Sequence, residues 1–301
     1  MSSLQYYMQG NINTTVQIQG ERLASVIFSS VATAMVTYVL FATIYFTATR
    51  KTHPQGKIGR ALDIISLFAN TAILINVAMD LSLITSHVEP FCTRYSMVKI
   101  LTYGLSILAV YSALWMKVYR CFYLNAVIIN VLGETIRTFV AVTYIFLLIM
   151  GLISTFLFLF FSKYVTKAFG CVSLETEAVL RLKWAVLISV SAVGEVALLF
   201  YFIYPVYVHK KRMKKSGIST VIAGAIIKRS IIAISVCTIT NIMGFAVKFA
   251  YISQTAYVFF LYQCMTLVIH LFVLVLSHQD WKTRLFPWIK NQQPISLRSV
   301  T

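Results

Sequence analysis

Charge is what this sequence has least of. Only 12% of its 301 residues are Asp, Glu, Lys or Arg, against 59% hydrophobic, and the mean hydropathy is +0.80. An ordinary soluble domain carries about a quarter charged residues, so a water-facing surface for a chain this long is excluded. The alternation of polar and apolar residues that marks the strands of a membrane β-barrel is missing as well. Grouped metal ligands are also lacking. The five histidines are scattered at positions 53, 87, 209, 270 and 278, and no cysteine or histidine group has ligand spacing. That excludes a metal centre and a zinc-dependent membrane hydrolase. No Ser or Cys is matched with a His base on the same side of the membrane. No enzymatic activity, cofactor or metal is therefore expected.

What the chain does have is seven long apolar runs. They cover about Leu23–Thr47, Ala61–Thr85, Met97–Lys117, Thr138–Ser162, Trp184–Val208, Ser230–Tyr251 and Ala256–Ser277. A helix needs about 20 apolar residues to cross a hydrocarbon core, and lipid requires it to satisfy its own backbone. The reading is an all-α membrane protein: a seven-transmembrane helix bundle over 23–277, between a polar segment 1–22 and a tail 278–301. No secretory signal precedes the first run, which would have to serve as its own insertion signal.

Orientation follows from the basic residues. With the N-terminus outside, eighteen of the 26 fall on the cytoplasmic side, including seven between Lys210 and Arg229. The opposite orientation would put the His209–Lys215 cluster outside. The net charge of +17 is thus a collar at span ends facing anionic lipid, and nucleic acid is not an expected partner. The expected location is the plasma membrane. Asn13-Thr14-Thr15 is a glycosylation sequon on the outer side. Cys92 and Cys171 lie in outer loops, where an oxidising exterior allows them to pair; the alternative is two unpaired thiols.

Polar residues inside spans are costly in lipid and so mark function or pairing. Glu195 sits near the middle of the fifth run, Lys248 one turn from the outer end of the sixth, and Asp80 in the outer part of the second. They can line an outward-opening cavity that orients a polar ligand, joined by Tyr103, Tyr111 and Gln263. Alternatively Lys248 pairs with Glu195 or Asp80, or reaches to the interface. Asn70, Asn76 and Asn241 are expected to hydrogen-bond between helices. His270 reads as a packing residue, and Pro205 as a bend in the fifth span.

Seven spans, an outside N-terminus, short loops and an outer-loop cysteine pair resemble a G-protein-coupled receptor. Three local features are similar to those receptors. Lys117-Val118-Tyr119-Arg120 ends the third span where the family has an acidic-Arg-Tyr motif. His209-Lys210-Lys211-Arg212-Met213-Lys214-Lys215 resembles a basic third cytoplasmic loop. Asp280–Phe286 has the pattern of the short amphipathic helix that follows the bundle, with Pro287 to stop it. The sixth span has no Trp-x-Pro and the seventh no Asn-Pro-x-x-Tyr, so the resemblance is to a divergent branch of the rhodopsin-like superfamily, similar to the chemoreceptor-like families of invertebrates such as nematodes. The seventh run contains no lysine, which excludes a retinal-binding opsin. The resemblance implies a receptor for a small molecule or peptide that couples to a cytoplasmic G protein through Arg120, Lys210, Lys211 and Arg212. A transporter or channel is the alternative, although the halves show no duplication of the kind many transporters have.

Overall fold

The computed structural model describes residues 3–49, 57–85, 92–119, 134–162, 164–167, 170–216, 221–250, 256–278 and 281–288. Seven long helices carry the seven apolar runs, each to within a residue. They are α1 (Ser3–Thr49), α2 (Lys57–Thr85), α3 (Cys92–Val118), α4 (Glu134–Phe161), α5 (Glu177–Ser216), α6 (Val221–Ala250) and α7 (Ala256–Leu276). A short α8 (Trp281–Leu285) follows and ends two residues before Pro287. Proline is scarce, with five in the chain. Pro205 lies inside α5, which continues past it to Ser216.

Among the described residues, five helices are long and apolar enough to cross a membrane, within Arg22–Thr49, Gly59–Ser82, Cys92–Lys117, Arg137–Phe160 and Ala178–Tyr201. Among the described side chains, α6 and α7 contribute shorter apolar stretches, Ile231–Gly244 and Leu261–Leu276. At about 1.5 Å per residue, the 47 residues of α1 extend for about 70 Å. That is more than twice the thickness of a hydrocarbon core, so the helix begins well before its apolar run.

Packing closes the helices into a ring. Each of α1 to α6 lies against the next, and α7 returns to α1. Helix α3 sits inside, touching α2, α4, α5 and α7, and α2 also meets α7. The centre is filled by residues that are almost wholly buried, among them Val36, Ile73, Val77, Val110, Leu114, Ile234, Leu267 and Leu271. At Gly104 a Cβ would run into the Thr155 side chain, so glycine lets α3 approach α4 this closely. The outward faces are apolar. Helix α4 exposes Phe139, Val142, Phe146, Ile149, Phe156 and Phe160, and only 11% of its spanning stretch is buried against 44% for α2. Such a continuous apolar surface belongs against lipid.

One element was not anticipated from the sequence. Between α4 and α5 the chain forms an antiparallel hairpin, β1 (Tyr164–Lys167) with β2 (Gly170–Ser173), Tyr164 opposite Ser173 and Thr166 opposite Cys171. Both strands touch the first residues' end of α3, where Thr93 Oγ1 donates to Tyr164 O at 3.1 Å, and β2 also reaches α7. The hairpin therefore covers one end of the bundle, and α8 lies at the other.

Candidate functional site

Polar side chains inside this bundle gather at three levels. At the hairpin end, Asp80 of α2 forms an ion pair with Lys99 of α3. Both are buried, Asp80 completely and Lys99 to 4% exposure. Asn76, one turn before Asp80, donates from Nδ2 to Lys99 O at 2.7 Å and to Thr102 Oγ1 at 2.9 Å. This seam fixes α2 on α3. The sequence offered Lys248 as a partner for Asp80 or Glu195; the Lys248 side chain lies outside the described residues, and the partner described for Asp80 is Lys99. Its signal was a lysine near the start of an otherwise apolar run. Gln263 on α7 is buried to 4% exposure, and its Oε1 finds no partner among the described residues.

The hairpin end is also tied from outside. Lys183 of α5 pairs with Glu175 at 2.6 Å and donates to Ser162 Oγ at 3.2 Å, joining the start of α5 to the end of α4. Burial raises the pKa of the Tyr164 phenol beside them; a hydrogen bond with Ser162 opposes that shift and the Glu175 carboxylate adds to it. Cys92 opens α3 and is buried, while Cys171 lies on β2, the strand that packs on α3. The free thiols among the described residues are Cys237 and Cys264, both buried within helices.

The middle level is a node joining four helices. The Tyr111 hydroxyl of α3 donates to Glu195 Oε1 of α5 at 2.5 Å. Asn241 Nδ2 of α6 donates to the same oxygen at 2.6 Å and also contacts the Tyr111 hydroxyl. Glu195 is 1% exposed and Asn241 3%. From α7, the His270 ring meets the Tyr111 ring edge-on at 6.3 Å. His270 Nδ1 lies 2.7 Å from Thr266 O. A carbonyl only accepts, so Nδ1 carries the proton and Nε2 is left as an acceptor; it finds no donor among the described residues. Two residues proposed from sequence as ligand contacts, Tyr111 and Glu195, are thus bonded to each other. Tyr103 is partly buried against the core two turns nearer the hairpin.

The third level lies at the α8 end. Lys117 of α3 donates to Leu274 O of α7 at 3.1 Å and bonds Ser277 Oγ. Arg284 of α8 bonds Asp63 Oδ1 of α2 at 2.7 Å and lies 4.8 Å from the Phe46 ring centre of α1. Nearby, Tyr38 donates to Leu285 O at 2.8 Å. Asn70 donates to Thr43 Oγ1 at 3.3 Å, so all three intramembrane asparagines bridge helices as their placement suggested.

The remaining candidates fall partly outside the described residues. Arg120 does so entirely. Lys248 lies on α6, Lys210, Lys211 and Arg212 on the last turns of α5, and Asn13 on α1, with side chains outside the description. The described residues hold no group of three or more His, Cys, Asp or Glu that could bind a metal. No family model matches this chain, and no curated protein matches it.

Proposed function

We propose that this protein is a seven-span membrane receptor with its N-terminus outside, working as a two-state helix bundle that signals to a cytoplasmic partner of the G-protein type. The observation that carries the reading is the node of Tyr111, Glu195 and Asn241, which ties α3, α5 and α6 together at mid-depth. Buried polar networks of this kind define one packing sharply and make a partly broken one costly. Loss of the node would release α5 and α6 from α3 together. A ligand that binds one packing better than the other shifts the population between them by that difference alone.

The hairpin end is then the extracellular mouth. A bridge between Cys92 and Cys171 would hold the hairpin over α3, in keeping with the hydrogen bond from Thr93 to Tyr164 O. The ligand enters the space near Tyr103 and Gln263 and stops above the node. The basic segment at the end of α5 and Arg120 lie on the cytoplasmic side. Asn13 is a glycosylation site on the outer extension of α1.

Transport or channel activity would need a polar stripe free to line a path. The polar face of α2 is the best source of one, yet Asp63, Asn70, Asn76 and Asp80 each bond a neighbouring helix. That favours the receptor. We expect Arg120→Ala and the combined Lys210→Gln, Lys211→Gln, Arg212→Gln variant to lose stimulus-evoked G-protein activation while staying on the cell surface. Unchanged activation in both variants would overturn the reading, as would solute flux through vesicles holding the purified protein alone.

A further inference from the structure

Helix α7 ends irregularly. The amide of His278, which would bond Leu274 O in a continuing helix, goes instead to Val275 O at 3.0 Å. The Leu274 carbonyl is left to accept from the Lys117 ammonium at 3.1 Å and from the Ser277 hydroxyl at 2.6 Å. A helix C-terminus carries orphan carbonyls and partial negative charge, and a cation there is favourable. What is unusual is the source of the cation, which comes from α3 on the far side of the contact.

A second tie holds the same corner. Arg284, three residues into α8 and 5% exposed, bonds Asp63 of α2 and stacks on Phe46 of α1. Its neighbour Leu285 accepts the Tyr38 hydroxyl through its carbonyl. The α7–α8 corner is therefore gripped by α3 on one side and by α1 and α2 on the other.

We propose that Lys117 and Arg284 form a two-point clasp that keeps the cytoplasmic face of the bundle closed, and that its release is the step that lets α7 leave α3. This rests on the two-state receptor reading for its regulatory meaning. The chemistry suits a latch better than a fixed joint. Replacing buried ionic contacts with apolar packing is often neutral or stabilising, so a charged tie is a poor device for stability alone. It is a good one for a contact that must break cleanly and re-form in one register. Lys117 ends the third span and reaches across to α7.

The experiment uses the full chain in lipid nanodiscs and follows amide hydrogen exchange in the peptide covering residues 271–288. Lys117→Met is expected to speed exchange there about tenfold, the scale of a partly buried cation at a helix C-terminus, leaving the α4 and α5 peptides unchanged. Lys117→Arg should keep most of the protection. Ser277→Ala, which removes only a hydroxyl, should speed the same peptide less, and serves if Lys117→Met does not fold. Unchanged exchange in Lys117→Met, or in Ser277→Ala where only that variant folds, overturns the clasp. Basal G-protein nucleotide exchange is measured on the same samples and should rise. Faster exchange with flat basal activity keeps the clasp and overturns the receptor reading behind it.

Discussion

Replacing Asp80 with alanine is expected to destabilise the protein by about 3–5 kcal/mol, the usual scale for breaking a buried ion pair from one side. The change leaves the Lys99 ammonium in the interior without the carboxylate that faces it. Removing both charges should cost much less. Asp80→Ala combined with Lys99→Met deletes the stranded ion and returns an apolar side chain to α3. Asn76 keeps its bonds to Lys99 O and Thr102 Oγ1, since the backbone carbonyl survives the substitution. Thermal unfolding of the purified variants measures this directly. A single variant as stable as the double one would show that Asp80 and Lys99 do not depend on each other.

The second large effect is expected at Glu195. Glu195→Leu removes the oxygen that accepts from both Tyr111, which is partly buried, and Asn241, which is almost wholly buried. Each buried donor left unmade costs about 1–3 kcal/mol, so the variant should lose several kcal/mol unless the two donors satisfy each other. Their direct contact allows part of that. Tyr111→Phe should cost less, because Asn241 still reaches Glu195. In a double-mutant cycle the pair should couple by about 0.5–3 kcal/mol, as groups in one network do. Additive effects would mean that the node is not a unit and that the two-state mechanism needs another hinge.

The two sites differ in how readable they were. The seven helices were legible because lipid leaves a spanning segment few choices: a long apolar run must form a helix, and Leu23–Thr47 or Thr138–Ser162 offer nothing else. Glu195 and Asp80 were also legible as costly residues that had to face inward. Their partners were not. Partnership depends on which helix lies beside which, and on rotation about each axis, neither of which a single run encodes. Lys99 faces Asp80 because α2 packs along α3 through Asn76, a pairing that neither run announces by itself. Tyr111 was offered as a ligand contact and lies within a hydrogen-bonded node; a phenol on a span serves either role equally well in sequence.

The hairpin escaped notice for another reason. Its strands are four residues each, too short to show a period, and they lie in a loop where hydropathy carries no message. At the opposite end, Lys117 was noticed only as part of a motif resemblance. Its place at the α7 terminus depends on the irregular turn at Ser277 and His278, which begins where the apolar run stops. Glycine at position 104 is similar: its meaning, a close approach to Thr155, exists only once α3 and α4 are side by side.

The proposed receptor requires an odd number of crossings, which would place the two ends of the chain on opposite sides of the membrane. That requirement is tested by fusing one epitope tag before Met1 and another after Thr301, and staining intact and permeabilised cells for each. Seven spans with the N-terminus outside predict that the N-terminal tag is stained on intact cells and the C-terminal tag only after permeabilisation. Both tags stained on intact cells, or both hidden until permeabilisation, would mean an even number of crossings and would contradict the account.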